Sequence, residues 1–442
     1  MSAKLSRNIP LEEEKLPSAY DAFQERGFIE QVSDAQALSV LFRETQLTCY
    51  IGFDPTATSL HVGSLVPIMS LVQMQRHGHR VIALVGGGTA LIGDPSGKTE
   101  MRHIMSQEQI DNNAQCLKRQ LSRYLDFSGG RALLLNNADW LTKLNYIDFL
   151  RDIGRHFSVN KMLSAESYRL RLEKGLNFIE FNYMLLQAYD FLHLFQQEGC
   201  VLQMGGNDQW GNMVAGIDLI RRIEGKQAYC LTFPLITTSL GQKMGKTERG
   251  TVWLDGSLTP PYDYYQYWVN TADADLERFL ALFTFLPMEE IRQVRRLSDA
   301  ELNWGKTVLA FEATKITHGE EAAIAAWQAS TQAFKTRPVP AVLFPSSTVP
   351  RLRAGDDTSA MPSLSLARAE LAAGIGAADL FVKAKLCTSR SEAKRLVTQG
   401  GLSLNERQLR SVDEKIGLET LNERGEIVLR RGKKRYFIIS VR

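Results

Sequence analysis

From about residue 35 to residue 240 the chain alternates apolar, strand-like runs with stretches whose apolar residues recur at helical spacing. The strand-like runs are "LTCYIGF" (47–53), "RVIALVGG" (80–87), "ALLLNNA" (132–138), "CVLQMGG" (200–206) and "AYCLTFPLI" (228–236). Between the first two lies "LVPIMSLVQMQRHG" (65–78), apolar at the period of a helix. Strands separated by helices return in the same direction, so the expected fold is α/β, a parallel sheet covered by helices. In such sheets ligands lie beyond the carboxyl ends of the strands. Polar clusters follow Phe53, Gly88, Gly206 and Ile236. Four loops are therefore expected to converge on one sheet edge.

The rest of the chain reads differently. Residues 262–335 carry helical patterns such as "DADLERFLALFTFL". Residues 337–363 hold Pro338, Pro340, Pro345, Pro350 and Pro362 among Ser, Thr and Gly, the composition of an extended connection. The last part has a helix-like "SRSEAKRLVTQG" and ends on "EIVLRRGKKRYFIISVR", with alternating strand character. The whole chain has a net charge of +3, but residues 383–442 hold 15 Lys and Arg against 7 Asp and Glu. That segment is +8 and the remainder −5. A basic tail on a mildly acidic body suits a polyanion, or is simply a solvated basic surface.

With 442 residues, two or three domains are expected. No apolar run approaches ~20 residues, so no transmembrane helix is expected. The N-terminus lacks the apolar core of a secretory signal, and its three consecutive glutamates argue against a mitochondrial presequence. Cys49, Cys116, Cys200, Cys230 and Cys387 form no CxxC pair, so neither a zinc site nor a disulfide framework is expected, and no metal-ligand set is assigned. A cytoplasmic location fits this usage.

Chemistry-bearing residues fall at the ends of the strands. "DPTATSLHVGSLVP" (54–67) places His61, Gly63 and Ser64 between a strand and a helix, where helix N-terminal N–H groups can meet a phosphate. "GDPSGKT" (93–99) and "GQKMGKT" (241–247) each resemble a P-loop but are one residue short, so a P-loop nucleotidase is rejected. Gly, Lys and a hydroxyl together can still hold phosphate in another geometry. Within "FIEFNYMLLQAYDFLHLFQQEG" (178–199), read as one apolar helix, Tyr183, Gln187 and Asp190 stand at i, i+4 and i+7 on one face. A charged side chain on an apolar helix needs a partner or a cavity; the stripe reads as a pocket wall, against the plainer alternative of a satisfied core network. "GGNDQWGNM" (205–213) offers Asp208 and Gln209 on a glycine-containing turn, or else a simple helix cap. "KMGKT" (243–247) sets Lys243 and Lys246 on a loop suited to transient phosphate charge.

In order along the chain, "YIGFDPTATSLHVGS", "GDPSGKTEMR", "EFNYMLLQAYD", "GGNDQWGN" and "KMGKT" closely resemble the bacterial tyrosyl-tRNA synthetases, class I aminoacyl-tRNA synthetases. The resemblance runs from about residue 20 to the end. His61-Val62-Gly63-Ser64 matches the class signature HIGH, and Lys243-Met244-Gly245-Lys246-Thr247 matches KMSKS. The tail resembles a small RNA-binding module of a ribosomal small-subunit protein.

The resemblance implies a Rossmann-like parallel-sheet catalytic domain with an N-terminal extension (1–240). A KMSKS-like loop and helical anticodon-side domain (241–336), a Pro-rich linker (337–364) and a small basic α+β RNA-binding domain (365–442) would follow. It also implies a homodimer, tRNA(Tyr), L-tyrosine and ATP as partners, Mg²⁺ accompanying ATP, and no membrane. The activity implied is formation of tyrosyl-adenylate, then transfer of tyrosine to tRNA.

By motif, Tyr50 and Asp190 would bind the phenol, and Asp94, Tyr183 and Gln187 the ammonium group. Gln209 would orient the carboxylate. Asp208, Gly63, Ser64 and Lys246 would contact ATP. Thr56 and His61 would stabilise the pyrophosphate moiety, with Lys98, Arg102, Lys243 and Lys246 closing over it.

Three positions depart from the pattern: Ser64 stands for the second His of HIGH, Ile51 for a common Cys, and Gly245 for the first Ser of KMSKS. The rival readings are a tryptophanyl-tRNA synthetase-like enzyme and a non-catalytic RNA-binding paralogue. An indole would not call for two phenol-binding oxygens, which argues against the first, and the retained Asp94, Asp208, Lys243 and Lys246 argue against the second.

Overall fold

The computed structural model describes residues 17–94, 105–165, 168–169, 172, 175–239, 241, 244, 246–247, 250–298, 301–334, 338–351, 363–405, 407–422, 425–432 and 435–441. It divides into two compact units, residues 1–350 and 351–442.

The first unit is built on a sheet of β1 (Gln31–Val32), β2 (Thr48–Phe53), β3 (Arg80–Val85), β4 (Ala132–Asn136), β5 (Leu202–Gly206) and β6 (Tyr229–Phe233), in the order β1-β6-β5-β2-β3-β4. All neighbours run parallel except β1, which pairs antiparallel with β6. The chain winds outward from β2 through β3 to β4, then returns on the other side at β5. The β2–β5 boundary is thus a topological switch point, where the loops part and leave a crevice. Register places Tyr50 beside Gln203 on β5 and beside Ile82 on β3.

The helix Leu65–Arg76 has ten of its twelve residues buried, because it is covered on more than one side. Its neighbours include the helix Leu276–Phe283, so the later helices share the core of the sheet region. Met69, Leu71, Phe233, Leu280, Phe283 and Phe311 belong to one apolar cluster. Arg26 fastens this join. Its guanidinium donates to the carbonyls of Ala281, Thr284 and Leu286 at 3.0, 3.1 and 2.7 Å. Those groups lie at and beyond the end of a helix, where carbonyls lack intrahelical partners.

Three sequence-based expectations change. The stretch 178–199 is two helices, Phe178–Phe181 and Tyr183–Glu198, with the break at Asn182. Each has its own start; the first carries a capping box from Asn177 and Glu180. Residues 338–350, read as part of a linker, instead pack on the first unit, with Val339, Phe344 and Val349 buried in its core. Prolines set local backbone shape but leave apolar side chains free to dock. The second unit also begins before residue 365, since Ser363–Leu366 is a strand paired parallel with the last strand, Arg435–Val441.

That second unit is α+β. Its five-stranded sheet runs Arg407–Gln408, Leu402–Leu404, Glu426–Arg431, Arg435–Val441, Ser363–Leu366 in spatial order. Short helices, Arg368–Ala372, Ala377–Lys383 and Arg390–Thr398, cover it. Leu380, Phe381, Leu402, Ile427, Leu429 and Ile439 form a core of its own.

Candidate active site

A cavity of about 220 Å³ opens at the switch point. Its floor comes from Tyr50 and Gly52 on β2, Leu84 on β3, and Gln203 and Gly205 on β5; its wall comes from Tyr183, Gln187 and Asp190 of the helix Tyr183–Glu198. Asp94 and Gln209 complete the polar set. Thus Tyr50, Asp94, Tyr183, Gln187, Asp190 and Gln209, six of the residues singled out in the sequence, meet around one space.

At the deep end, Asp190 is 2% exposed. Its carboxylate accepts from Asn137 Nδ2 at 2.8 Å and from Trp140 Nε1 at 2.7 Å. Burial pushes its pKa from the ordinary 3.8 to about 7, against those two hydrogen bonds, which favour the charged form. Tyr50 lies fully inside, its ring 5.5 Å from that of Phe191. Burial, with the Asp190 charge nearby, drives its hydroxyl pKa well up, so it stays a neutral donor. Among the described residues, neither Tyr50 Oη nor Gln203 Oε1 has a hydrogen-bond partner. Buried polar atoms are rarely left so, and two beside one cavity mark a place for a polar ligand.

At the other end the groups are linked. Tyr183 Oη donates to Asp54 Oδ2 at 3.1 Å, and Thr89 Oγ1 donates to Asp54 Oδ1 at 3.0 Å. A hydroxyl that gives its proton to a carboxylate offers its lone pairs to a cation. Gln209 Nε2 donates to Asp94 Oδ2 at 2.8 Å. The charge here is net acidic, which suits an ammonium group.

Thr56, His61, Gly63, Ser64 and Asp208 do not line the cavity. His61 to Ser64 lead into the helix Leu65–Arg76, with Val62–Ser64 a short 3-10 turn. His61 Nδ1 accepts the Gly63 N–H at 3.0 Å. In the neutral ring Nε2 therefore carries the proton and is the donor. A Cβ at Gly63 would lie 2.6 Å from His61 Cε1 and 3.2 Å from Met244 O, so a side chain there would displace the imidazole. The second distance places the Met244 carbonyl beside Gly63. The chain after it is bound in the same way, through Val62 N to Val252 O and Leu254 N to Leu60 O. Thr56 is exposed, and Asp208 is half-buried in the turn after β5. Lys98, Arg102 and Lys243 lie outside the described residues. Lys246 is described in its backbone, paired with Thr251.

Sequence reasoning missed Asp54, Thr89, Asn137, Trp140, Gln203 and Asn212. Asp54 and Asn212 stood inside quoted motifs, and Gln203 was a polar residue in an apolar strand. Nothing local marks Trp140.

The family described as "tRNA synthetases class I (W and Y)" matches residues 43–335, and a "Tyrosine--tRNA ligase SYY-like C-terminal domain" matches 356–439. The tyrosine–tRNA ligase of Syntrophus aciditrophicus is 65% identical over 426 residues, 96% of this chain and 99% of that protein. The chain belongs to the tyrosine–tRNA ligase family. A second tyrosine–tRNA ligase, from Desulfosudis oleivorans, is 59% identical over 430 residues, 96% of this chain and 99% of the other. Among solved structures, a C-terminally truncated mitochondrial tyrosyl-tRNA synthetase of Aspergillus nidulans aligns with a TM-score of 0.65 at 31% identity, covering 73% of this chain and 96% of that one. Tyrosine–tRNA ligases that match this chain over nearly its whole length favour the tyrosine reading over the tryptophanyl and non-catalytic ones.

Proposed function

We propose that the cavity holds tyrosine with its phenol between Tyr50 and Asp190, its ammonium group against Asp94, Tyr183 and Gln187, and its carboxylate oriented by Gln209. The observation that carries this is the buried, unpartnered Tyr50 hydroxyl at the apolar end that also holds Asp190. A phenol there would donate to the carboxylate and accept from Tyr50.

As a class I aminoacyl-tRNA synthetase, the protein uses ATP as substrate and is a tyrosine–tRNA ligase. In the first step a tyrosine carboxylate oxygen attacks the α-phosphorus of ATP, and pyrophosphate leaves. In the second, a hydroxyl of the terminal adenosine of tRNA(Tyr) attacks the carbonyl carbon, and AMP leaves. Neither step needs a protein nucleophile; positioning and stabilisation of phosphate charge do the work. Asp208 takes the ribose, and Gly63 and Ser64 face the nucleotide. His61 through Nε2–H, together with Thr56, meets the pyrophosphate, and Lys98, Arg102, Lys243 and Lys246 close over it. Mg²⁺ enters with the ATP phosphates, its preferred oxygen ligands.

The basic second unit, with the helical part of the first, binds tRNA; the 1–240 and 241–336 segments and the second unit, whose sheet begins at Ser363, keep these separate tasks although the first two share a core. The protein acts as a homodimer. Tyr146, Ile147, Leu150, Val159, Leu172 and Phe178 are exposed within one stretch of chain, an apolar surface that suits a second copy. Among the described residues no helix is long and apolar enough to cross a membrane; a cytoplasmic place is supported instead by the scattered cysteines without a CxxC pair. Pyrophosphate exchange with each of the twenty amino acids tests the reading. Exchange with tyrosine alone is expected; exchange with tryptophan, or none, overturns it.

A further inference from the structure

The last residue of "GGNDQWGN" has so far no task. Asn212 sits in the first turn of the helix Trp210–Glu224, 2% exposed. Its side-chain Nδ2 donates twice, to Gln187 Oε1 at 2.9 Å and to Gln209 Oε1 at 3.2 Å. Both glutamines line the cavity, and they come from different elements.

A glutamine amide is nearly symmetrical in shape. Turned over, it exchanges an acceptor for a pair of donors at almost no steric cost. At a site that must hold a cation and an anion side by side, that exchange matters. An NH₂ group can only donate, so each of its two hydrogen atoms demands an oxygen. The Asp94 carboxylate, an acceptor, takes the Gln209 nitrogen at 2.8 Å and so turns the Gln209 oxygen to Asn212. Asn212 then presents its NH₂ to that oxygen and to Gln187 Oε1, and carries the setting from one glutamine to the other. Asn212, Gln187, Gln209 and Asp94 form one directed chain.

We infer that Asn212 is a positioning residue of the tyrosine site: one buried amide that, with Asp94, fixes the donor and acceptor ends of Gln187 and Gln209 toward the charged groups of the amino acid. The inference rests on the pocket reading above. It makes no contact between Asn212 and substrate, and it assigns no role at the phenol.

Asn212→Asp is the sharpest test, since it keeps the shape and replaces two donors with acceptors. Both glutamines must then turn their nitrogens toward it. Asn212→Leu, which removes the donors without adding charge, controls for the carboxylate. In either variant the KM for tyrosine in pyrophosphate exchange is expected to rise about tenfold or more, as for a lost hydrogen bond to a charged group. The preference for tyrosine over phenylalanine is expected to hold, because the phenol end is untouched.

As competitive inhibitors, tyramine, which keeps only the ammonium group, and 3-(4-hydroxyphenyl)propionate, which keeps only the carboxylate, should each lose less affinity than tyrosine itself. In a Gln187→Glu background, whose two oxygens are equivalent, the Asn212→Leu effect should shrink. Equal loss for all three ligands would mean that Asn212 is merely structural and overturns the inference. So does an unchanged KM in Asn212→Leu while Gln187→Ala still raises it, which leaves the pocket reading standing. If Gln187→Ala also leaves KM unchanged, the pocket reading falls and the inference with it.

Discussion

Asn137 donates its side-chain N–H to the carboxylate of Asp190 at 2.8 Å, on the side of the cavity where the Tyr50 hydroxyl has no partner among the described residues. Trp140 holds the other carboxylate oxygen at 2.7 Å. The acid is thus fixed in place from behind, by residues of the β4 edge, before any substrate arrives.

Removing this acid should remove selectivity first. Asp190→Ala is expected to abolish most of the preference for tyrosine over phenylalanine, because a pocket built for a hydroxyl otherwise leaves polar groups unpaired at ~1–3 kcal/mol each. Exchange assays with both amino acids measure it; a variant that still strongly prefers tyrosine contradicts the assignment. The raised pKa adds a pH signature. Asp190 is protonated below about 7 and ionised above it. The kcat/KM for tyrosine should climb as pH rises through about 7, and that inflection should vanish in Asp190→Asn. The same shift makes the group a cost to the empty fold. It binds its proton more tightly folded than unfolded, so its contribution to stability is lost as pH rises from about 4 through about 7.

His61 should matter more than Ser64, although both stand in one signature. The Gly63 N–H on Nδ1 makes Nε2 a donor, and under the proposed role this donor meets charge that grows in the transition state. A donor of that kind is worth ~3 kcal/mol, or roughly a hundredfold in rate. His61→Ala is therefore expected to slow tyrosyl-adenylate formation with little change in ATP affinity. Ser64→Ala should act weakly and on the Michaelis constant for ATP, as uniform binding does. Pre-steady-state measurement of the adenylate decides between them, and the reverse ranking would refute the proposed roles.

Cutting the chain after Pro350 should separate the two steps. The second unit has its own core and none of the residues around the cavity. Tyrosine-dependent pyrophosphate exchange is expected to persist while tRNA charging drops sharply. Equal loss of both would show that the basic unit supports the adenylate step as well.

Two buried histidines predict acid sensitivity. Burial holds His79 and His318 at about 4 instead of the ordinary 6.5, with His77 adding to the effect at the first and Arg123 at the second. His79 Nδ1 accepts the Leu47 N–H at 3.2 Å, which needs the neutral ring. Depressed values mean stability that is present above pH 6.5 and lost as pH falls toward 4. The loss approaches roughly 3 kcal/mol for each group at full protonation. In an Asp190→Asn background, which removes the opposing shift of that acid, urea unfolding at pH 5 should show part of this loss relative to pH 7, and His79→Gln should remove its own share while that of His318 remains.

The periodicities were local facts and therefore legible in the sequence. Strands of "LTCYIGF" and "RVIALV" type, the helical stripe of Tyr183, Gln187 and Asp190, and glycine-bearing loops after the strands follow from spacing along a few residues, because backbone geometry repeats over that range. The five parallel strands were found within a few residues of their limits. Tyr183, Gln187, Asp190 and Asp94 line the cavity.

What tertiary structure alone decided is everything that depends on partners far apart in the chain. Tyr50 meets Gln203 through strand register, Asp190 meets Asn137 and Trp140 across some fifty positions, and Gly63 approaches Met244 across a much longer gap. The docking of the proline-rich stretch 338–350 on the first unit went unseen for the same reason. Its composition described the backbone, whereas burial of Phe344 depended on an apolar surface assembled elsewhere. Hydrogen bonds and apolar contacts are short-ranged in space but indifferent to distance along the chain. A single sequence therefore reveals which side chains are able to make a site, and only the packed fold determines which of them face one another.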